Sequence, residues 1–195
     1  MTSKLYVPRD SSAVAMGADL VADKISQVAT ATKADVQIVR NGSRGMMWME
    51  PLLEVETASG RMGYANVTVD DVENFALNGF SESTLAGKGI GLVGEHPYLK
   101  NQERLCFARN GITDPTSIDD YMAHDGFKGL EAALALDGKS IVEIVTKSGL
   151  RGRGGAAFPT GIKWNTVLGC SADQKYIVCN ADEGDSGTFS DRMTM

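Results

Sequence analysis

The stretch Ser148-Gly-Leu-Arg-Gly-Arg-Gly-Gly-Ala-Ala-Phe-Pro-Thr-Gly-Ile-Lys-Trp164 constrains this chain more than any other. Five glycines stand there among two arginines and a lysine. Glycine opens backbone conformations closed to other residues and leaves N–H groups bare, with fixed positive charge close by. That combination suits a phosphate. Gly152, Gly154 and Gly155 supply the bare backbone, and Arg153 and Lys163 are placed to pair with phosphate oxygens. A helix starting between Thr160 and Lys163 would aim its positive end the same way. By composition alone, a mobile surface loop with incidental basic residues reads equally well. Phe158 and Trp164 favour the ligand reading, as aromatic anchors that a floppy loop does not need.

Only 15 residues separate Trp164 from Asn180-Ala-Asp-Glu-Gly-Asp-Ser-Gly187. This second loop is rich in acceptors. It would repel a phosphate but suits the N–H and hydroxyl donors of a flavin or a ribose. Tyr176–Cys179 reads as a buried strand feeding into it, and ligands often sit at the C-terminal ends of strands in α/β folds. Two adjacent loops of opposite chemistry suggest one polar ligand, anionic at one end and donor-rich at the other. A flavin mononucleotide has that form. Taken alone, Asn180, Asp182, Glu183 and Asp185 read more simply as a solvated turn. A calcium loop fits poorly, because Asp185 stands where the EF-hand pattern wants glycine and Gly184 where it wants Asp or Asn.

The remaining chain narrows the class. A net charge of −6 with no basic run argues against nonspecific nucleic-acid binding. No apolar run approaches the roughly 20 residues that span a bilayer, and the N-terminus lacks the pattern of a secretory signal. Cys106, Cys170 and Cys179 are widely spaced and odd in number, which reads as reduced cytoplasmic thiols and no metal site. His96 and His124 stand in no triad or metal spacing and read as surface or structural residues. No paired acid and base of the hydrolase kind appears, so no catalytic side chain is assigned and the chemistry belongs to a cofactor.

Residues 1–80 read as a small α/β domain. Strand candidates are Lys4–Val7, Val36–Arg40, Pro51–Thr57 and Arg61–Val67. A helix capped by Ser11 or Ser12 carries Val14, Ala18, Val21, Ile25 and Val28 on one face. Thr68 and Asp71 resemble a capping box for a final helix through Val72 and Phe75. The arrangement is read as the βαββα order of a thioredoxin-like fold. Residues 81–109 read as a linker. They contain Gly89-Ile-Gly-Leu-Val-Gly94, a G-x-G-x-x-G match, but His96-Pro97 follows where a dinucleotide fingerprint needs a helix. From residue 110 onward the pattern is helical: Asp119–His124, then Gly126–Leu136, then a helix capped by Ser140 and ending at Gly149. The ending Ser190-Asp-Arg-Met-Thr-Met195 reads as a cut inside a domain.

Gly149–Trp164 and Tyr176–Arg192 together closely resemble the NADH-oxidising flavoprotein subunits of respiratory complex I, of NAD-dependent molybdenum or tungsten formate dehydrogenases, and of NAD-linked hydrogenases. The family's G-R-G-G-A-[GA]-F-P-T-G-x-K-W and C-N-A-D-E are both unbroken here, and the likeness runs from roughly residue 110 to the chain end. It implies a Rossmann-like FMN-binding α/β domain, present as its N-terminal part over residues 110–195. It implies that Gly152, Arg153, Gly154, Gly155 and Lys163 hold FMN, with Asn180, Asp182, Glu183 and Gly184 around its ring and ribityl chain. Phe158 would offer a face to the NAD adenine. Asp185 falls where complex I carries a glutamate near the nicotinamide, and Gly184 where it commonly has serine. That Gly-Asp pairing is more like the formate dehydrogenase and hydrogenase branch.

Asn41-Gly-Ser-Arg-Gly-Met-Met-Trp-Met-Glu-Pro51 resembles the cluster loop of thioredoxin-like [2Fe–2S] proteins, C-x-G-x-C-x-x-A-P. Ser43 and Met47 occupy both cysteine positions, and the earlier pair falls near Pro8 and Ala13. A thiolate cluster needs four such ligands, so this domain is expected to hold none and to serve in packing or docking. The resemblance as a whole implies a beta subunit of a cytoplasmic NAD-dependent formate dehydrogenase. Hydride would pass between nicotinamide C4 and flavin N5, and electrons would pass to or from iron–sulfur clusters elsewhere. A [4Fe–4S] segment is expected only beyond Met195. Expected partners are a molybdenum or tungsten catalytic subunit and a small [2Fe–2S] thioredoxin-like subunit, with no nucleic acid and no membrane span. The alternatives are the equivalent subunit of complex I or a hydrogenase, and an assembly or docking fragment without tight flavin binding.

Overall fold

The computed structural model describes residues 2–77, 79–80, 85, 87–153, 155–184, 187–188 and 191. They fall into two compact units, residues 1–124 with 181–195, and residues 125–180.

The first unit is a mixed α/β structure. Strands β1 (Ser3–Tyr6), β2 (Val36–Val39), β3 (Leu53–Thr57), β4 (Gly60–Tyr64) and β5 (Gly89–Leu92) form one sheet in the order β2-β1-β3-β4-β5. β1 and β2 run parallel, and the other pairs are antiparallel. The helices α1 (Ser11–Ala15) and α2 (Ala18–Thr32) join β1 to β2, as a parallel pair requires. Helix α3 (Val69–Leu77) follows the β3–β4 hairpin. The order therefore has four strands before α3, where βαββα counts three.

Local chemistry explains the boundaries. Asp10, not Ser11 or Ser12, caps α1: its Oδ1 accepts from the amides of Ser12 and Ala13, each at 2.9 Å. Gly17 at φ +97 breaks the chain between α1 and α2. The apolar stripe consequently begins at Ala18 and runs through Val21, Ala22 and Ile25, all buried, while Val14 is exposed. These residues meet Leu5, Val55, Tyr64, Val72, Phe75 and Phe80 in the main core.

Alternation along the strands puts a different chemistry on the opposite face. Glu54, 1% exposed, accepts Arg44 Nε at 2.6 Å and Arg44 Nη2 at 2.8 Å, with Arg61 Nη1 at 3.3 Å. Arg61 also lies over the Tyr6 ring, 3.5 Å from its centroid, and donates to Gly111 O at 2.9 Å. Asn41 Nδ2 donates to the same carbonyl, Gly42 N donates to Thr113 O, and Arg9 pairs with Asp114. The segment before α5 (Ile118–Ala123) is thus fastened to the sheet by polar contacts.

β5 lies inside residues 81–109, read from the sequence as a linker. Its pairing with β4 depends on Gly63, where a Cβ would come within 2.7 Å of Val93 and 2.8 Å of Ile90. The G-x-G-x-x-G match is used as an edge strand, followed by a 3₁₀ turn at Val93–Glu95 and the short helix α4 (Pro97–Lys100).

The second unit contains α6 (Lys128–Leu134), α7 (Gly138–Ser148) and α8 (Thr160–Gly169). Asp137 caps α7, its Oδ1 accepting from Ser140 N at 2.7 Å, so Ser140 sits in the first turn and is not the cap. Gly149 ends α7 at φ +70. Tyr176–Cys179 is not a strand. Tyr176, Ile177 and Val178 are 82%, 99% and 83% exposed. A strand is stabilised by its neighbours, and among the described residues this unit offers none beyond the single bridge Arg151–Pro159.

Glu50 is the one buried carboxylate of the first unit with no cation against it in the described contacts. Its Oε1 accepts from Ser43 Oγ at 2.6 Å and its Oε2 from Leu52 N at 2.8 Å. Burial outweighs these bonds, and nearby Asp10 and Glu54 add repulsion, so its carboxyl is pushed up to about 7 from an ordinary 4.5. A raised acid is held more tightly in its protonated form by the folded state. Stability from this group is full below the unfolded value and is lost as pH rises through about 7. The full loss is on the order of 3 kcal/mol. Subtracting the urea stability curve of Glu50→Gln from that of the wild type, at pH 5 and pH 8, is expected to leave a decline of that sign. A difference that rises with pH would contradict it.

Candidate functional site

The glycine loop is a closed structure with a defined neck. α7 ends at Gly149, and the chain leaves and returns through two backbone bonds. Thr160 N donates to Leu150 O at 2.9 Å, and Gly152 N donates to Phe158 O at 2.8 Å. Arg151 and Pro159 face each other as an antiparallel bridge. The anchor is therefore the main chain. Phe158 and Trp164 are 46% and 47% exposed, so neither holds the loop by burial as the sequence suggests.

Three of the residues singled out in the sequence converge at the neck. A Cβ on Gly152 would lie 3.5 Å from Phe158 O and 3.7 Å from Lys163 Nζ. The Lys163 ammonium stands 5.8 Å from the Phe158 ring centroid. Arg153 is exposed, and its Nη1 donates to Arg151 O at 3.0 Å. Gly155 takes φ +113 and faces open space. Gly154 lies outside the described residues. Arg151, Arg153 and Lys163 form no salt bridge among the described residues. No side chain caps α8, so its first turn adds the partial positive charge of a helix N-terminus to that of Lys163. Glycine, ammonium and helix start together make a cradle for an anion.

The acidic residues are arranged differently. Asn180 closes the second unit, whereas Asp182, Glu183 and Gly184 are grouped with the first. Glu183 has φ +48, and its Oε1 accepts from Asp191 N at 2.8 Å. The Asp182 carboxylate lies beside Gly184, where a Cβ would come within 2.6 Å of Oδ2. Asp185 lies outside the described residues. The two histidines are local. His96 Nδ1 accepts from Tyr98 N at 3.3 Å, and His124 Nδ1 lies 2.9 Å from Asp120 O.

One contact escapes any reading of the sequence. Gly161, in the first turn of α8, is buried against Thr146 of α7: a Cβ would lie 2.3 Å from Thr146 Oγ1 and 2.7 Å from its Cα. Its only trace in the sequence is a glycine at a helical position, a choice that usually has a packing reason.

Known proteins match this same region. Residues 145–195 match the family described as the Nuo51 FMN-binding domain. The comparisons support the complex I flavoprotein family. The NADP-reducing hydrogenase subunit HndC of Solidesulfovibrio fructosivorans is 54% identical over 96 residues, 49% of this chain and 19% of that protein. The F 2 subunit of the NADH-quinone oxidoreductase of Rhizobium meliloti is 47% identical over 85 residues, 43% of this chain and 20% of that protein. The NAD-reducing hydrogenase HoxS subunit alpha of Cupriavidus necator is 47% identical over 66 residues, 34% of this chain and 11% of that protein. The chain thus spans a fifth or less of these relatives' length. Among solved structures, a thioredoxin-like [2Fe–2S] ferredoxin from Aquifex aeolicus aligns at 18% identity and a TM-score of 0.35, over 42% of this chain and 86% of the ferredoxin.

The neck can be tested apart from any ligand. Proline is favoured at the first position of a helix, so Thr160→Pro is expected to keep α8 while removing the donor to Leu150 O. A lost hydrogen bond of about 1 kcal/mol corresponds to roughly fivefold faster opening. Amide exchange at Gly152 is expected to quicken by about that factor, with helix content by circular dichroism unchanged. Unaltered exchange at Gly152 would show that the neck does not depend on this bond.

Proposed function

We propose that this chain is part of a flavoprotein subunit that binds FMN and NAD(H) and moves electrons between NAD(H) and iron–sulfur partners. The observation that supports it is the neck geometry. Lys163 Nζ, unpaired among the described residues, stands beside Gly152 at the uncapped start of α8. In this reading Gly152, Gly155, Arg153 and Lys163, with Gly154, hold the FMN phosphate. Glycine allows close approach, the ammonium supplies point charge, and the α8 amides supply directed donors. Asn180, Asp182, Glu183 and Gly184 offer acceptors and carbonyls to the ring and ribityl donors. Phe158 presents a half-exposed face on which an adenine stacks, and Asp185 is the residue assigned to the nicotinamide. When bound, FMN supplies the hydride and electron chemistry. The chain itself binds, orients and sets the local field.

At finer grain, the proposed setting is a cytoplasmic NAD-dependent formate dehydrogenase. Its molybdenum or tungsten catalytic subunit and a small [2Fe–2S] thioredoxin-like subunit would be the partners. The Gly184-Asp185 pairing is more like that of the formate dehydrogenase and hydrogenase branch than that of complex I. No helix among the described residues is long and apolar enough to cross a membrane. The names of the matched relatives favour a second reading, the equivalent subunit of a hydrogenase or of complex I. The proposed domains are a thioredoxin-like N-terminal domain without cluster cysteines, whose sheet extends to β5 within residues 81–109, and the N-terminal part of an FMN- and NADH-binding domain.

The test is the visible absorption spectrum of the 195-residue chain after incubation with FMN and desalting. Retained flavin bands are expected. Lys163→Met is expected to weaken FMN binding by about tenfold or more, the worth of one charge-assisted hydrogen bond. A folded but colourless wild-type chain would replace this reading with that of a docking segment.

A further inference from the structure

We infer that Gly161 and Thr146 are positioning residues for the FMN phosphate, setting where Lys163 stands without touching the ligand. The inference rests on the FMN reading proposed above. Thr146 Oγ1 donates to Val142 O at 2.7 Å, which holds the threonine side chain in one rotamer against α8. Gly161 meets that side chain so closely that even one methyl group has no room. The hypothetical Cβ falls 2.3 Å from Oγ1, 2.7 Å from Cα and 2.9 Å from Cβ of Thr146. Ordinary contact begins near 3.4 Å. Two of the three obstructing atoms belong to the Thr146 backbone or its Cβ, so no rotamer change relieves the clash, and the start of α8 must retreat from α7 by about 1 Å.

Lys163 belongs to the same helical turn as Gly161 and moves with it. The loop neck does not follow freely, because Leu150 is fixed to the end of α7 and bonded to Thr160. Retreat of α8 therefore separates Lys163 Nζ from Gly152, the two elements of the cradle. The reach of a charge-assisted hydrogen bond to phosphate is short, and a shift of this size weakens it sharply. The isoalloxazine ring and ribityl chain depend on other residues and should hardly notice.

Phosphate dependence is the readout that a general packing role would not produce. FMN and riboflavin differ only by the phosphate, so the ratio of their affinities reports on the cradle alone. Titrations of the full chain with each ligand, monitored by flavin fluorescence, are compared for the wild type and four variants. Gly161→Ala and Thr146→Leu, which wedge the same contact from opposite sides, are expected to lose FMN affinity by about tenfold with riboflavin affinity unchanged. Thr146→Val keeps the shape of threonine and is expected to keep the wild-type ratio. Lys163→Met is expected to lower the ratio directly. If Gly161→Ala does not fold by circular dichroism, Thr146→Leu decides. Equal losses for both ligands, or a ratio that responds to Lys163→Met but not to Gly161→Ala or Thr146→Leu, would overturn the inference and leave the FMN site standing. A wild-type chain without preference for FMN, unchanged by Lys163→Met, would overturn both.

Discussion

The approach of α8 to α7 at Gly161 is closer than any residue with a side chain allows, and the candidate site inherits its geometry from that contact. The loop between the helices has few buried side chains of its own. Gly155 faces open space, and Phe158, Arg151 and Arg153 are exposed. A segment so poor in packing would ordinarily sample many conformations. Here its two ends are fixed, by the Leu150–Thr160 and Gly152–Phe158 bonds and by the helices that carry them. Backbone contacts do what a hydrophobic plug does elsewhere.

The first unit solves a different problem with similar means. Its loop from Asn41 to Pro51 carries Ser43 and Met47 where the resembling cluster proteins have cysteines. Polar side chains close it: Asp10 accepts from Ser43 N, Ser43 Oγ donates to Glu50, and Arg44 grips Glu54. Glu54 is the most demanding member. A carboxylate at 1% exposure is tolerable only because two guanidiniums meet it, one of them through two parallel bonds. The same two arginines reach the chain beyond the sheet, through Arg61 to Gly111 O and through the Arg44 carbonyl, which accepts from Arg104. Desolvation is offset here by tying distant segments together.

Much of this is legible in the sequence. The stripe Ala18, Val21, Ile25 and the hairpin about Ala58-Ser-Gly60 follow from periodicity and turn chemistry, and both stand in the structure. The glycine loop is legible from composition. The caps are misplaced by sequence because Asp10 and Ser11, or Asp137 and Ser140, are all good cap residues, and only geometry shows which oxygen reaches the amides. β5 is hidden because glycines at 89 and 91 argue against a strand unless a partner such as Gly63 makes room. Tyr176–Cys179 fails in the opposite direction, since strand propensity is realised only beside another strand. The Gly161–Thr146 contact leaves only a glycine at a helical position to betray it. Periodicity reports which face is apolar, not how near two backbones come.

Charge alone would be a poor argument for the site. Arg151, Arg153 and Lys163 are exposed, and repulsion between exposed cations a few ångströms apart is about 1 kcal/mol or less in water and weaker still in salt. Three cations with no salt bridge among the described residues can persist there without a ligand. Placement separates a site from a merely basic surface. A lysine free to swing would give up rotamer entropy of up to about 2 kcal/mol on binding, as much as one good ionic hydrogen bond returns. Lys163 rises from a helix turn pinned at Gly161, and its ammonium already lies over Phe158 and beside Gly152. In the proposed FMN site, the pinned helix turn fixes where the stem of Lys163 begins, so less of the side chain remains to be ordered when a phosphate binds. In the proposed site, the buried glycine is therefore expected to matter to binding alongside the charge it positions.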